Sequence, residues 1–544
     1  LECEQYLICR PDIDFYIYFD GEIAFAELIK KIGKGETVES LKGNFQGGAM
    51  SICPSTKKLV KGELLPRPTN LDVIPSPYLS GLMDQWFNGY YAPSIETCRG
   101  CPFTCAYCCI GQARYKGIAT HSIQRVKEEL TYIAKKMQKY PEIFLSICDS
   151  NFGMYPRDEE IAKHCRFLQD KFGWPNVFDV TTGKANYDRI LKIAGMLKNK
   201  MTVTCSVQSL NQKTLEVIGR KNMSMDEYRQ IQLEIKKRGM FSIAEFIVPM
   251  PEETKKSFFE GMRKVIEVGV EIIVPYTTML LKGTYLDSKQ CRQKYRFRSK
   301  FRIIPRQFGE YFKEKCFEIE EVCVATSTMT FAHYLEVRGF AFILSFFSGE
   351  QFDVVRRHTK EMGIDYYDFS FNLWQLIRSG QTALSATYNE FLDETKKELW
   401  NSKKDIYDFF SKQKNYAKLL RGELGDNLIR KYSLKLLVEC CVSSIELAYD
   451  FILKTEIAGN GEIANSLKAA KAWLIATRNL NSVFKSNRYK NINKNLEIEY
   501  DVESWYQDNH GPLTGYKRRA LYRIFYNVKE LDRILEQGSK LYGR

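Results

Sequence analysis

The sequence of 544 residues predicts an α/β fold centred on residues 93–290: a parallel β/α unit forming an open, partial barrel of six strands. Three observations predict it. Strand-length apolar runs alternate with amphipathic stretches. The breaks between them carry Gly or Pro, as in "KKRGMFSIAEF" and "IEVGVEIIVP". The strand signals number six, too few for a closed eight-stranded barrel. Strands are expected at Ser94–Thr97, Ile143–Cys148, Val177–Thr182, Thr202–Val207, Ser242–Val248 and Ile272–Thr277, with helices over 121–139, 157–172, 186–199, 211–237 and 254–268. Chemistry in such folds collects at the C-terminal ends of the strands.

The flanking regions read differently. In residues 1–35, "DFYIYFDGE" alternates like a strand and "IAFAELIKKIGKG" is an amphipathic helix with a Gly stop, which together resemble the last unit of an open α/β sheet. Residues 36–92 are rich in Pro, Gly and Ser and read as a wrapping linker. Strand signals thin out beyond about residue 300. Residues 291–544 are expected to be a mainly helical substrate or capping domain, including "YKRRALYRIFYNVKELDRILEQGSKLYG" at the C-terminal end.

Apolar residues make up 44% and charged residues 27%, so disorder does not dominate. The net charge of +14 does not point to nucleic acid, because Lys and Arg are interleaved with Glu and Asp in most segments. Only 289–307, "KQCRQKYRFRSKFRIIPRQ", is basic and aromatic without carboxylates, and it reads as a surface or a handle for phosphate. No membrane span or signal peptide is visible, and irregularly spaced cysteines in a chain this large indicate a reducing, cytoplasmic setting.

The stretch "IETCRGCPFTCAYCCIGQ" carries five thiols: Cys98, Cys101, Cys105, Cys108 and Cys109. Its two C-x2-C pairs suggest zinc, but only three residues separate them, whereas ribbon-type sites place far more chain between two knuckles. Disulfides conflict with the expected compartment. Cys101, Cys105 and Cys108 alone have the spacing C-x3-C-x2-C. Three thiolates on a [4Fe–4S] cube leave one iron open to an exogenous ligand.

This stretch resembles the signature of the radical SAM superfamily, with Tyr107 immediately before the third cysteine, as that pattern expects. The resemblance extends over about residues 1–345. "NLDVIPSPYLSG", "EFIVPMPEETKKSFFEGM" and "MLLKGTYL" follow the landmarks of members with an N-terminal cobalamin-binding domain. It implies a TIM-like barrel, a [4Fe–4S] cluster on Cys101, Cys105 and Cys108, and S-adenosylmethionine chelated at the open iron. Residues 1–35 would then be the C-terminal part of a Rossmann-like cobalamin domain. Two departures stand out: "MPEET" lacks the Gly often found between Pro and Glu, and none of the five histidines lies in a D-x-H-x-x-G context. The cobalamin domain therefore reads as truncated or degenerate.

Cofactor-binding roles are expected for Tyr107 in the loop, for Asp149 and Asn151 at the end of the second strand, for Ser206 and Gln208 near the end of the fourth, for Arg220 as partner of the methionyl carboxylate, and for Glu245 in the fifth strand. Each also has a plain reading as a loop cap or surface polar group, and Cys98 and Cys109 read as bystanders. The leading function is reductive cleavage of S-adenosylmethionine to a 5′-deoxyadenosyl radical that abstracts hydrogen, followed by cobalamin-dependent methylation of an unactivated carbon. Cobalamin-independent rearrangement, dehydration or epimerisation is one alternative, and a non-enzymatic Fe–S protein another. "DSNFGMYPRDEEIA" and "VQSLNQKTLEVIGRKN" are similar to members associated with surface polysaccharides. That likeness implies a phosphorylated or a nucleotide- or lipid-linked sugar as substrate, with flavodoxin or ferredoxin as electron donor.

Overall fold

The computed structural model describes residues 6–10, 12–45, 47–240, 242–270, 272–455, 461–479, 493–508 and 510–525. The chain divides into two compact units. The first takes in Leu1–Gly100, Gly117–Ser150 and Arg157–Asp179, and the second Cys101–Lys116, Asn151–Pro156 and Val180–Arg544.

In the first unit, β1 (Tyr16–Ile17), β2 (Ala49–Ile52) and β3 (Leu59–Lys61) form an antiparallel meander. Helices Glu22–Gly33 and Val38–Asn44 accompany it, and Leu28, Leu41, Phe45 and Ala49 make a small core. This corrects two expectations. Residues 36–61 are not a linker, because they supply a helix and two strands. The first strand also pairs antiparallel, unlike a strand of a Rossmann-like sheet. Its partner lies some thirty residues downstream, in a stretch whose Gly and Pro mask the strands.

The chain then runs through β4 (Ser94–Ile95), β5 (Cys98–Arg99), β6 (Ala119–Thr120), β7 (Leu145–Phe152) and β8 (Phe178–Thr182), in sheet order β4-β7-β8 with β5 and β6 as a separate pair. β4 and β7 are parallel, pairing Ser94 with Ser146 and Ile95 with Ile147. Between β6 and β7 runs the helix Ile123–Met137. Ser122 caps its start by accepting from Arg125 N–H, and Val126, Leu130, Ile133 and Met137 bury one face.

The second unit carries β9 (Val203–Thr204), β10 (Ser242–Val248) and β11 (Ile272–Thr277), in parallel and in that order. All six expected strands are therefore present, as two three-stranded sheets. Within this unit the Thr182 hydroxyl donates to Thr204 C=O (3.1 Å) and accepts from Thr204 N–H (3.0 Å), so a side chain bridges the last residue of β8 to β9.

Beyond the strands lies a feature the sequence did not suggest: a long hairpin of β12 (Arg298–Tyr311) and β13 (Glu314–Ala325). Its two-residue turn, Phe312–Lys313, has positive φ at both positions (51° and 71°), the geometry that suits a tight hairpin. The turn contains none of the Gly, Asn or Pro that would announce it. The basic segment 289–307 is absorbed here. Arg292 pairs with Asp287 and Glu321, Arg302 with Glu320 and Glu398, and Arg306 with Asp426. The expectation of an uncompensated phosphate handle is corrected, because the carboxylates arrive from outside the segment.

The remaining described chain is mostly helical, as expected. Helix Phe331–Phe347 is buried without a break from Val337 to Leu344, and it packs among helices Tyr366–Arg378, Ser385–Lys397 and Leu428–Glu439. An all-round apolar helix is the core of a helical array. Among the described residues no helix is long and apolar enough to cross a membrane. One expectation fails: Lys517–Phe525 is not helix but strand β15, paired antiparallel with β14 (Asn493–Tyr500). Ala520, Tyr522 and Ile524 are its less exposed positions, and that period of two outweighs the helical pattern. The rest of that expected helix, 526–544, lies outside the described residues.

Helix Asp353–Glu361 carries His358, whose ring stacks on Trp505 at 4.6 Å and whose Nδ1 lies 3.1 Å from the Tyr449 hydroxyl. Burial, helped by the Arg357 charge, pushes His358 down from 6.5 to about 3. The unfolded chain takes up this proton near pH 6.5 while the folded chain does not, so stability falls as pH drops from about 6.5 toward 3, by up to about 1.4 kcal/mol per pH unit. Chemical denaturation at pH 7 and pH 5 should show a smaller loss for His358→Phe than for the wild type. Equal losses would remove His358 from the acid limb.

Candidate active site

β7 carries two of the expected residues, Asp149 and Asn151. Leu145, Ile147, Asp149 and Asn151 alternate onto one buried face. In the first unit Asp149 is gripped from the adjacent chain. Thr97 donates to it from N–H (2.7 Å) and hydroxyl (2.5 Å), and Cys98 from N–H (3.1 Å) and thiol (3.4 Å). Arg157 donates to Thr97 C=O (2.8 Å) and to His121 C=O (2.5 Å), fixing the same turn from outside. Burial pushes the Asp149 carboxyl up despite these donors. Asp149 was expected at the rim as a nucleoside ligand. The structure turns both its oxygens onto Thr97 and Cys98, where they fix the chain that leads into the cysteine loop. Burial, together with the charges of Asp149 and Asp158, raises the Cys98 thiol, so it stays protonated and donates.

The loop itself belongs to the second unit. Its turns close through Cys108 N–H to Cys105 C=O (3.1 Å) and Gly111 N–H to Cys108 C=O (3.0 Å), and Cys101 N–H donates to Tyr115 C=O (2.9 Å). Gly111 is required sterically, since a Cβ there would stand 2.5 Å from the Cys105 carbonyl oxygen. Cys101 and Cys105 are buried, Cys108 and Cys109 are half-buried, and all four are free thiols. Burial, then the neighbouring Cys108, pushes Cys109 up. Two donors face the sulfurs of the triplet. Asn151 Nδ2 lies 3.3 Å from Cys101 Sγ, and Lys184 Nζ lies 3.3 Å from Cys105 Sγ. Lys184 sits just beyond β8 and was not expected; its only signal in the sequence is a lysine after a strand-ending Gly.

The other expected residues gather in the same unit, at the ends of β9 and β10. Arg220 donates to the Tyr107 hydroxyl (3.2 Å), to Asn222 Oδ1 (2.8 Å) and to Ser206 C=O. The Ser206 hydroxyl donates to Glu245 Oε2 (2.5 Å). Glu245 was expected to be unpaired inside a barrel unless a ligand met it; it lies on the less buried face of β10 with Ser206 as its partner. Gln208 adopts φ 64° and is buried, and its backbone bridges to β10. Lys184, Ser206, Arg220 and Asn222 line a narrow cleft. "PEET" resolves as a helix start. Thr254 and Ser257 form a capping box, and the buried Glu253 accepts from Ser209 and Ser257.

These residues fit an iron–sulfur cube. Two of the triplet's three sulfurs, on Cys101 and Cys105, face N–H donors suited to thiolates, whereas among the described residues no group of three or more His, Cys, Asp or Glu side chains converges as for a single ion. A cube differs from one ion in that each thiolate meets its own iron. They also fit a polar cofactor, because Asn151 Oδ1 and Gln208 Oε1 are buried acceptors without partners, and such groups are costly unless a ligand or water satisfies them. The fit does not extend to a histidine-ligated corrin. His121 faces Asp72 and His164 faces Thr131, and no histidine has the D-x-H-x-x-G setting.

Residues 95–265 match the family model described as the radical SAM superfamily. The cobalamin-dependent radical SAM methyltransferase TokK of Streptomyces tokunonensis is 30% identical over 304 residues, which are 53% of this chain and 43% of that protein. The 2-(S-pantetheinyl)-carbapenam-3-carboxylate methyltransferase of Streptantibioticus cattleyicolor is 31% identical over 271 residues, 48% of this chain and 38% of that one. The matched region thus spans less than half the length of these curated relatives. Among solved structures, the cobalamin-dependent S-adenosylmethionine radical enzyme OxsB, with aqua-cobalamin and S-adenosylmethionine bound, is similar at 13% identity with a TM-score of 0.45, over 80% of this chain and 69% of that one. Residues 95–265, with the cysteine loop near their start, thus match the radical SAM superfamily, and the chain is similar over about half its length to curated methyltransferases, one of them a cobalamin-dependent radical SAM enzyme.

Proposed function

We propose that this chain is a radical SAM enzyme that methylates an unactivated carbon, with cobalamin as a further cofactor and a flavodoxin- or ferredoxin-like protein as electron donor. The observation that carries the proposal is the pair of donors on the triplet: Asn151 on Cys101 and Lys184 on Cys105, within the region matched to the superfamily. Cys101, Cys105 and Cys108 would hold the cluster, which would supply one-electron reductive cleavage of bound S-adenosylmethionine. Methylation and cobalamin dependence are supported by the likeness to the two curated methyltransferases.

The chain's own residues divide the remaining work. Asp149 positions the start of the loop through Thr97 and Cys98, and Gly111 lets the loop fold back over Cys105. Asn151 Oδ1 and Gln208 Oε1 are the acceptors we assign to cofactor hydroxyl or ammonium groups. Arg220 holds Tyr107 and Ser206 in place and lines the cleft assigned to the methionyl end, where its charge favours a carboxylate. Glu245, through Ser206, borders the same end. In this reading the six parallel strands are a partial barrel over about 93–290, and the region beyond it sets substrate choice. A phosphate handle on Arg292, Arg302 and Arg306 is not part of the proposal, because carboxylates occupy them.

Anaerobic reconstitution should load ~4 iron per chain and release 5′-deoxyadenosine from S-adenosylmethionine with dithionite. Cys105→Ala should lose both properties, and tight zinc with no 5′-deoxyadenosine from the wild type would sink the proposal. Asp149→Ala leaves the Thr97 and Cys98 donors unsatisfied, at a cost on the order of 3 kcal/mol. It should lower the denaturation midpoint and the iron content together, while Gly111→Ala should lower iron content by displacing Cys105. Full iron loading in both variants would remove these two residues from the positioning role.

A further inference from the structure

Lys184 is placed with unusual specificity for a cation. Gly183 N–H, next to it, donates to Phe152 C=O (3.2 Å), and a Cβ on Gly183 would stand 2.6 Å from the Met154 side chain, so the backbone here is closely fitted. The ammonium lies over the Phe103 ring at 5.5 Å and the Tyr107 ring at 5.9 Å, and its hydrogen bond goes to Cys105 Sγ at 3.3 Å. Among the described residues no carboxylate pairs with it. The group it faces is the sulfur of a buried cysteine, 5% exposed.

We propose that Lys184 tunes the redox potential of the cluster held by Cys101, Cys105 and Cys108, raising it by aiming a fixed positive charge at the Cys105 sulfur. This rests on the cluster reading above. An oxidised four-iron cube with three thiolates carries net negative charge, and the electron accepted from a low-potential donor adds one more. A cation held at one thiolate stabilises the more negative form more strongly, and burial of that thiolate limits screening by water. The Asn151 amide on Cys101 acts in the same sense as a neutral dipole, and so more weakly. Reduction of the cluster is the step that external donors find hardest in a buried anionic centre. Lys184 lowers that difficulty through its contact with the Cys105 sulfur.

The test is an anaerobic potentiometric titration of the reconstituted protein without S-adenosylmethionine, following the electron paramagnetic resonance signal of the reduced cluster. Lys184→Arg should titrate near the wild type, Lys184→Gln at more negative potential, and Lys184→Met at the most negative. Variants that hold a full cluster and titrate with the wild type overturn the inference. If Lys184→Met fails to hold iron, the Arg and Gln variants decide, since equal potentials for charged and uncharged side chains also overturn it. A wild-type protein that holds no cluster overturns instead the reading on which this inference rests, and iron and sulfide content distinguish the two failures.

Discussion

The backbone of Ala106 is the constraint on which the candidate centre depends. This residue stands between Cys105 and Tyr107, and its peptide groups are taken on two sides. Its N–H donates to Ile218 C=O (2.9 Å), and its C=O accepts from Leu286 N–H (3.1 Å). Each of these bonds ties the middle of the cysteine triplet to a distant stretch, one after β9 and the other after β11. Gly219 makes the first approach feasible: it has φ +62°, and a Cβ there would press on Thr104 C=O at 3.1 Å. Because main-chain bonds from remote segments fix the loop, its sulfurs need no bond to one another. A ligand set held this way keeps its spacing whatever its side chains bind.

Around that anchor, polar side chains are arranged in two tiers. The outer tier is closed. Asp149 is saturated by Thr97 and Cys98, Glu253 by Ser209 and Ser257, and Arg220 reaches Tyr107, Asn222 and Ser206. The inner tier is open, with donors on two sulfurs and unsatisfied acceptors on Asn151 and Gln208. Fully satisfied buried networks stiffen a fold, whereas isolated buried acceptors weaken it.

The sequence announces the parts of this arrangement that are local. Alternation and Gly or Pro breaks place all six strands to within a few residues, and cysteine spacing marks out Cys101, Cys105 and Cys108 as the C-x3-C-x2-C triplet. What it conceals depends on partners far away in the chain. The arginines of 289–307 look uncompensated until Asp287, Glu320, Glu321, Glu398 and Asp426 are brought to them. The Phe312–Lys313 turn has no residue that favours positive φ, so the hairpin around it is invisible beforehand. Asp149 reads from sequence as an acid at a strand end, and only the placement of Thr97 and Cys98 reveals that its charge is turned to structure. Lys184 is hidden for the same reason, since nothing near it in sequence indicates a sulfur.

Gln208 shows how a local penalty and a binding role meet in one residue. A non-glycine residue at φ 64° costs on the order of 1 kcal/mol, and its buried Oε1 without a partner costs about 1–3 kcal/mol more. The β9–β10 register offsets the first cost, because Gln208 N–H donates to Glu245 C=O (2.8 Å) and Gln208 C=O accepts from Ile247 N–H (2.9 Å). Nothing within the described residues offsets the second. The same holds for Asn151 Oδ1, at the end of β7 and bonded through its amide nitrogen to Cys101. Asn151 Oδ1 and Gln208 Oε1 are thus two of the buried acceptors without a partner in the second unit. A bound ligand that presented donors to them would offset that cost.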